Sequence, residues 1–251
     1  MSKLAGRTAL VTGAGRGIGY QLMLALEAAG IRVAALDLEP PEPKSGRLTL
    51  TTDITDPSAV ERAIEAGLER FGSLDILINN AAVTDLSHHQ LTDIPLETWR
   101  QVFEVNVTGA VIVTRAVLPT MRSRGSGNIV FITSSLGLFQ QGIAGDAVYS
   151  ASKAAVEALA FVLSLELAGS GVNVNTLYPS VKVDTGFFAH LSKAERRTLA
   201  RPTLLNEPAL FLAGLAPGAL SGVSVSQESW DCTPGYADAL RVRALQHSPP
   251  G

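Results

Sequence analysis

Apolar positions along the chain follow two alternating patterns. Short runs rich in β-branched residues are typical of buried strands, and longer segments with apolar residues at helical spacing separate them. The short runs predict strands at 8–12, 32–37, 48–52, 74–79, 128–133 and 172–177. The longer segments predict helices at 17–29, 57–71, 96–122 and 149–168. Strands alternating with helices favour an α/β fold, in which a parallel sheet is covered on both faces and the crossovers are right-handed.

The segment 39–46 interrupts this alternation between the second and third strands. It contains three prolines, which lack a backbone donor and clash with a preceding helical turn. We therefore expect a surface loop here and no helix between these two strands. With 251 residues, the whole chain (1–251) is expected to form a single domain.

Composition narrows the classes of partner and compartment. A net charge of -3 gives no basic field for a polyanion, so a nucleic-acid partner is not expected. The first ten residues lack a signal-peptide pattern, and no uninterrupted apolar run is long enough for a bilayer, so we expect a cytoplasmic protein without a membrane partner. Cys232 is the single cysteine, so an intrachain disulfide and a thiolate metal cluster are both excluded, and no metal is expected.

A glycine-rich run lies between the first predicted strand and the first predicted helix. Gly13 allows a tight turn, Gly17 lets the backbone approach a pyrophosphate, and Gly19 lets the helix pack against the strand. Arg16 and Ile18 complete the loop. A helix N-terminus attracts negative charge, so this run predicts a dinucleotide site. Alone, it could also be a glycine-rich turn before an ordinary helix.

Asp37 ends the second predicted strand, where a carboxylate can bind an adenosine ribose and repel a 2′-phosphate. This position favours NAD over NADP. Arg16 is a signal in the other direction, because a guanidinium in the loop could bind that phosphate. We expect the carboxylate to dominate, and NAD to be the cofactor.

Tyr149 and Lys153 form a candidate proton-transfer pair. Residues at i and i+4 lie one above the other on a helix, so the ammonium can approach the phenol and lower its pKa. An unperturbed tyrosine titrates near ~10, so such a shift makes the phenol useful near neutral pH. The alternative is an exposed helical pair without a catalytic role.

These motifs together resemble the short-chain dehydrogenase/reductase family, from residue 6 to about residue 222. The resemblance rests on the order and spacing of the glycine loop, the Tyr149/Lys153 pair and several shorter motifs, namely Asp53-Ile54, Asn79-Asn80-Ala81-Ala82, Val105-Asn106-Val107, Ser134 with Gly137, and Asn175 to Pro179. It implies a single-domain Rossmann-type fold, a doubly wound parallel sheet.

The resemblance also implies a catalytic tetrad of Asn106, Ser134, Tyr149 and Lys153. Tyr149 exchanges a proton with the substrate oxygen, Ser134 hydrogen-bonds that oxygen, Lys153 binds the nicotinamide ribose, and Asn106 holds a water that relays protons to Lys153. Further cofactor contacts are implied at Asp53, Ile54, Asn80, Ala81, Pro179, Val183 and Thr185. Asp53 could otherwise be a loop acid, and the segment with Val183 and Thr185 is about one residue longer than the family pattern.

Substrate contacts are expected in a lid at 180–201 and in nearby loops. An apolar pocket could be lined by Leu136, Leu138, Phe139, Phe187 and Phe188, although these residues could equally serve packing. The lid cations Lys182, Lys193, Arg196, Arg197 and Arg201 are expected to be solvated, and His88, His89 and His190 form no metal-ligand group. Residues 226–251 form a C-terminal extension to which no role is assigned.

Three functions remain open. The first is an NAD(H)-dependent oxidoreductase that interconverts a secondary alcohol and a ketone. The second is an NADPH-dependent 3-oxoacyl-(acyl-carrier) reductase, with Arg115, Arg122 and Arg124 receiving the acidic carrier. The third is a non-catalytic, cofactor-binding regulatory protein. Apolar faces on the two long helices, together with the resemblance, imply a homo-oligomer, a tetramer or a dimer.

Overall fold

A computed structural model describes residues 4–85, 90–138 and 140–230 of the chain. Its seven strands form one parallel sheet: β1 Thr8–Thr12, β2 Arg32–Asp37, β3 Arg47–Thr51, β4 Ile76–Asn79, β5 Gly127–Ile132, β6 Val172–Tyr178 and β7 Ser224–Ser226. The strand order is β3-β2-β1-β4-β5-β6-β7. The order reverses between β1 and β4, which opens a crevice at their carboxyl ends.

Seven α-helices connect the strands within these described residues: α1 Gly17–Ala28, α2 Pro57–Phe71, α3 Leu96–Phe103, α4 Ala110–Arg124, α5 Ala147–Glu166, α6 Lys193–Arg196 and α7 Asn206–Ala213. One face of the sheet packs against α1 and α7. The opposite face packs against α2, α4 and α5. The predicted doubly wound α/β fold, with helices on both faces, is therefore confirmed.

Local sequence signals explain where individual elements begin and end. Asp56 caps α2 by accepting a hydrogen bond from the Ser58 backbone N–H at 2.9 Å, and Gly72 ends this helix with a left-handed φ of 82°. The Pro-rich segment before β3 contains no helix, as predicted. The chain there is held by Arg47, whose guanidinium donates to the Glu27 carboxylate at 2.6 and 2.8 Å.

Several predicted boundaries were wrong by one or two residues. The strands predicted at 48–52, 128–133 and 172–177 are Arg47–Thr51, Gly127–Ile132 and Val172–Tyr178, and the last helix begins at Ala147. The strand predicted from residue 74 begins at Ile76, and the Asp75 carboxylate just before it accepts from the Thr8 backbone N–H at 2.9 Å.

The helix predicted at 96–122 is one continuous helical stretch, Leu96–Arg124, but it is not α-helical throughout. A π-helical turn, Glu104–Gly109, separates α3 from α4. An inserted residue of this kind widens one turn, and such turns occur often at functional sites. Here the turn contains Asn106, which is buried.

Two helical stretches among the described residues, Leu96–Arg124 and Ala147–Glu166, are long and apolar enough to cross a membrane by length and composition alone. A core helix of a sheet protein passes the same test. Val113 and Val117 of the first, and Val156 and Ala160 of the second, pack into the core beneath the sheet. Each helix therefore covers the sheet with one apolar face.

Candidate active site

The glycine-rich loop is built against the end of β4. Thr12 Oγ1 accepts from the backbone N–H groups of Asn80 at 3.0 Å and Ala81 at 3.1 Å. In return, Asn80 Nδ2 donates to the carbonyls of Thr12 at 3.0 Å and Gly13 at 3.1 Å. Asn80 and Ala81 therefore brace the loop in the crevice between β1 and β4. Thr12 is the part of this brace that the sequence reasoning missed; its position beside Gly13 was the available signal.

The loop has no room for side chains at its key glycines. Gly13 has a φ of 65°, and a Cβ there would lie 2.8 Å from both Ala81 Cα and Asn80 Nδ2. A Cβ on Gly19 would collide with the Gly13 carbonyl. No side chain in the described part of the molecule caps the start of α1, which follows Arg16 and includes Gly17 and Ile18. The uncapped N–H groups and the cleared surface fit a pyrophosphate.

Asp37 lies beside this loop at the end of β2. Its Oδ2 accepts from the Gly15 backbone N–H at 2.8 Å, and its Oδ1 accepts from the Glu39 backbone N–H at 3.0 Å. A Cβ on Gly15 would lie 2.9 Å from the Asp37 carboxyl carbon. The carboxylate is thus fixed next to the loop, where a dinucleotide would place its adenosine ribose.

Arg16 extends toward the lid, since a Cβ on Gly186 would lie 3.5 Å from Arg16 Nε. Asp53 and Ile54 follow β3. Asp53 is exposed, and its Oδ1 accepts from the Thr55 backbone N–H at 2.9 Å and the Thr55 hydroxyl at 2.7 Å, as a loop acid does. Ile54 is buried, and its side chain occupies the space that a Cβ on Gly109 would need.

Tyr149, Ser134 and Lys153 come together at the carboxyl ends of β5 and β6. The Ser134 side chain interacts with the Tyr149 phenol and lowers its pKa. Lys153 Nζ donates to the Ile132 carbonyl at 2.9 Å and lies 5.8 Å from the centre of the Tyr149 ring. Gly137 permits this assembly, because a Cβ there would lie 2.8 Å from Lys153 Cβ.

Burial controls the ionisation of this pair in the protein alone. It raises the pKa of Tyr149 to about 12, against the opposing effect of Ser134, and the Asp146 charge adds to the rise. Burial also lowers the pKa of Lys153 to about 8, against the opposing charge of Glu157. In the protein alone the pKa of Tyr149 is therefore raised, because desolvation of the phenol is the largest effect. A lowered pKa with the nicotinamide bound stays a prediction.

Asn106 lies in the π-helical turn and faces α5. Its Oδ1 accepts from the Val83 backbone N–H at 2.8 Å. Its Nδ2 donates to the Val83 carbonyl at 2.9 Å and to the Ser152 hydroxyl at 3.0 Å. The side-chain amide is therefore engaged with protein groups, and a relay water at this residue would have to bind its backbone.

The lid begins after β6 and returns to its starting point. The Asp184 backbone N–H donates to the Ala200 carbonyl at 2.8 Å, and the Ala200 N–H donates to the Lys182 carbonyl at 3.0 Å. Arg196 Nε donates to the Asp184 carboxylate at 2.6 Å, so this cation is paired, contrary to expectation. Between these points are a short 3₁₀ turn, Gly186–Phe188, and helix α6.

The predicted contacts of the lid separate into two groups. The Thr185 side chain lies beside the glycine loop, since a Cβ on Gly17 would lie 3.4 Å from its methyl group. Val183 is buried and pairs with Ala200. Ser180, which follows Pro179, donates its N–H to Gln227 Oε1 at 2.8 Å. Thr185 is thus placed for a cofactor contact, whereas Val183 fixes the base of the lid.

Among the residues predicted to line the substrate pocket, Phe187 packs against the candidate proton-transfer residue Tyr149. Its ring packs edge-on against Tyr149 with a centroid separation of 5.9 Å. Phe188 instead packs against His190 at 6.4 Å, and Leu136 and Leu138 are half-buried. Phe139, His88 and His89 lie outside the described residues, as do Cys232 and most of the C-terminal extension.

Comparison with known proteins adds the following findings. A family model described as short chain dehydrogenase matches residues 7–196. The chain is 39% identical, over 71% of its length and 68% of the relative's, to a 1-deoxy-11-beta-hydroxypentalenate dehydrogenase of Streptomyces exfoliatus. It is 32% identical, over 94% of its length and 74% of the relative's, to a fluoren-9-ol dehydrogenase of Terrabacter sp. (strain DBF63).

Among solved structures, the fold is similar to that of a 3-ketoacyl-(acyl-carrier-protein) reductase from Brucella melitensis complexed with NADH. The TM-score is 0.79 at 27% sequence identity, and the match covers 89% of this chain and 97% of that one.

Proposed function

Because the chain belongs to the short-chain dehydrogenase family, we propose that it is an NAD(H)-dependent oxidoreductase that interconverts a secondary alcohol and a ketone. The arrangement that carries this proposal is the Tyr149 phenol beside Ser134 and backed by Lys153, at the sheet edge that also holds the glycine loop. A phenol and a hydroxyl side by side fit one substrate oxygen.

The protein groups have separate roles in this proposal. Ser134 donates a hydrogen bond to the substrate oxygen, and Tyr149 accepts the alcohol proton or returns it. When bound, a nicotinamide exchanges a hydride with the substrate carbon. The positive charge of an oxidised nicotinamide also favours the phenolate of Tyr149, as does the Lys153 ammonium, and thus opposes the effect of burial.

The choice of NAD is supported by Asp37. Its carboxylate is fixed next to Gly15 by two backbone hydrogen bonds, so a 2′-phosphate on the ribose would approach a negative charge. The Arg16 side chain extends to Gly186 at the lid. Ribose hydroxyls can donate to a carboxylate, whereas a phosphate cannot.

The substrate class follows from the surroundings of Tyr149. The Phe187 ring against the phenol gives the substrate side an apolar surface, to which we assign the half-buried Leu136 and Leu138 as well. This surface fits a small or medium secondary alcohol that carries a ring or an aliphatic chain. The fluoren-9-ol and pentalenate relatives, whose names denote ring-bearing substrates, support the same class.

The test is the growth of NADH absorbance with NAD and a panel of cyclic, aromatic, hydroxy-acid and sugar-derived secondary alcohols. Tyr149→Phe removes the proton-transfer hydroxyl, and its kcat is expected to fall by about 10² to 10⁴-fold. Tyr20→Phe, which removes a hydroxyl from α1 where the ring packs on the core, is the matched control and should retain activity. Equal activity in the two variants would contradict the assigned role of Tyr149.

Parallel reactions with NADP test Asp37. We expect NAD to give the higher kcat/KM. A preference for NADP would overturn the role of Asp37 and make Arg16 the cofactor determinant. NADH binding without turnover of any substrate in either direction would instead favour the non-catalytic alternative.

The similarity to the acyl-carrier-protein reductase favours one second candidate, a 3-oxoacyl reductase. Of the three arginines expected to contact the carrier, Arg124 does not support this candidate. Arg124 donates to the Leu74 carbonyl at 2.8 Å and lies 3.3 Å from Asp75 Oδ1, at the amino end of the sheet and opposite Tyr149. Turnover of a 3-oxoacyl thioester with NADPH, exceeding that of any secondary alcohol with NAD, would establish this candidate.

We further propose a cytoplasmic homo-oligomer without nucleic-acid or membrane partners. The outer face of α5 supports the assembly, because Phe161, Val162 and Leu165 are 42%, 50% and 54% exposed. Val148, Val156 and Ala160 on the inner face are buried within the subunit. The helix is therefore apolar on two sides, of which the sheet covers one.

A further inference from the structure

Glu157 lies on α5 one helical turn after Lys153. Its half-buried carboxylate accepts hydrogen bonds from the hydroxyls of Thr133 at 2.5 Å, Thr176 at 2.9 Å and Ser224 at 3.3 Å. The last two hydroxyls are also 2.8 Å apart. These residues stand at the carboxyl side of β5, in β6 and in β7. One carboxylate thus joins α5 to three neighbouring strands.

This junction is continuous with the proton-transfer groups. Thr133 lies between Ile132, whose carbonyl accepts from Lys153 Nζ at 2.9 Å, and Ser134, which acts on the Tyr149 phenol. The helix that carries Tyr149 and Lys153 and the chain segment that carries Ser134 therefore meet at Glu157. A small shift of either one would change the distance from the phenol to the serine hydroxyl, on which proton transfer depends.

Glu157 also places a negative charge close to Lys153. The strands that face this carboxylate have Tyr178 as their one titratable residue within the described part of the chain. On the other elements packed against α5, Glu97 and Arg100 form an exposed ion pair at 3.1 Å, and Glu104 lies in the π-helical turn.

Asp146 immediately precedes α5, and the Asp146 charge raises the pKa of Tyr149. Glu166 is the last residue of the helix, at the opposite end. The charge that acts on Lys153 is that of Glu157, which raises the lysine pKa against the effect of burial. Glu157 is therefore the acid placed to act on this ammonium.

We propose that Glu157 is a positioning residue for proton transfer, whose carboxylate fixes α5 to β5, β6 and β7 and supplies the anionic neighbour that keeps Lys153 an ammonium. This inference rests on the proposed function, because it concerns the same Tyr149 and Lys153 pair. It adds a residue that acts through these two and has no contact with the substrate.

Glu157→Gln removes the negative charge of this side chain and keeps its size and shape. The amide retains the shape and one oxygen that accepts from the hydroxyls, and its nitrogen can donate to a hydroxyl oxygen. Loss of the anion lowers the pKa of Lys153, so the limb of the pH–activity profile that follows this ammonium should move to lower pH by about half a unit. Glu166→Gln, the same change at an exposed position of the same helix, is the control and should leave the profile in place.

Glu157→Asp provides a graded comparison, since it keeps the charge but withdraws it by one methylene. Its profile is expected to lie between those of the wild type and the glutamine variant. If the glutamine variant does not fold, the aspartate variant takes its place, and the direction of its shift is the result. A profile unchanged in both variants, or an equal shift in Glu166→Gln, would overturn the proposal.

A lower kcat without a shift in pH would also overturn it, because a purely structural contact predicts that result. The NMR titration of the Lys153 side chain, assigned by comparison with Lys153→Met, gives a readout that needs no turnover. Glu157→Gln should lower the pH at which Lys153 loses its proton. If the wild type turns over no substrate, the proposed function fails, whereas this titration still tests Glu157.

Discussion

Lys153 is 4% exposed, and burial lowers the pKa of its ammonium from 10.5 to about 8. The folded protein therefore releases this proton near pH 8, whereas the unfolded chain holds it until about pH 10.5. Between these values the unfolded state binds more protons, so stability must rise as pH rises through this window. At lower pH the burial of the charged form is a constant penalty.

This leads to a prediction for Lys153→Met, which removes the buried charge. The free energy of unfolding of the wild type, relative to this variant, should rise by up to about 3 kcal/mol between pH 8 and pH 10.5. Urea unfolding at several pH values measures it. Lys193→Met, at an exposed lid position, is the control and should show no pH-dependent difference. A constant difference between wild type and Lys153→Met would contradict the inferred pKa.

At the scale of elements, the connection from β1 to α1 depends on close backbone approach. A Cβ on Gly19 would meet the Gly13 carbonyl and the Asn80 amide, both of which hold the loop in place. Gly67 in α2 differs, because a Cβ there would lie 3.5 Å from a Leu74 side chain, an ordinary contact. A methyl group should therefore be tolerated at Gly67 but not at Gly19.

We predict that Gly19→Ala destabilises the protein by more than about 2 kcal/mol and weakens NADH binding. Gly67→Ala should instead be neutral or stabilise by up to about 1 kcal/mol, since alanine is the better helix former. Urea unfolding and NADH fluorescence measure the two effects. Comparable losses in both variants would show that the contact at Gly13 is not the cause.

Elements whose apolar period is regular were predictable from sequence. The bounds predicted for β1, β2 and α2 are those observed, because buried strands and a capped amphipathic helix leave clear local signals. The π-helical turn at Glu104–Gly109 was missed, since one extra residue scarcely alters a helical apolar pattern. The glycine loop and the Tyr149, Lys153 and Ser134 set were predicted from residue spacing and resemblance.

Residues defined by long-range contacts were harder to predict. Glu157 contacts Thr133, Thr176 and Ser224, which belong to three separate segments. From the sequence alone, a single glutamate in a helix is interpreted as a solvated surface charge, because these three segments come together only in the folded chain. The desolvation that raises the Tyr149 pKa in the protein alone was not predictable for a similar reason, because the i, i+4 spacing indicates only the nearby ammonium.

At the scale of the whole molecule, the outer face of α5 is the feature that remains uncovered. Phe161, Val162 and Leu165 are exposed on a helix whose opposite side is already in the core. Exposed apolar patches of this kind mark association surfaces. The proposed homo-oligomer would cover them with a second subunit.

We predict that Leu165→Glu lowers the mass measured by light scattering, because it places a charge in the proposed subunit contact. Leu38→Glu, at a 66% exposed loop position after β2, is the matched control and should leave the mass unchanged. A monomer mass for the wild-type protein would reject the oligomer, and unchanged assembly in Leu165→Glu would place the contact elsewhere.

The paired base of the lid has a consequence for how this protein can change over time. Because Lys182, Asp184 and Ala200 bond to one another, the intervening chain leaves and rejoins the body at one point. Its closure cost grows only slowly with length. Insertions, deletions and exchanges in the part of this segment that follows Thr185 and Phe187, which contact the glycine loop and Tyr149, are therefore expected to leave the catalytic scaffold undisturbed. The sequence of the lid, and with it the preference for a substrate, can therefore diverge between related proteins while the residues proposed for hydride transfer stay the same.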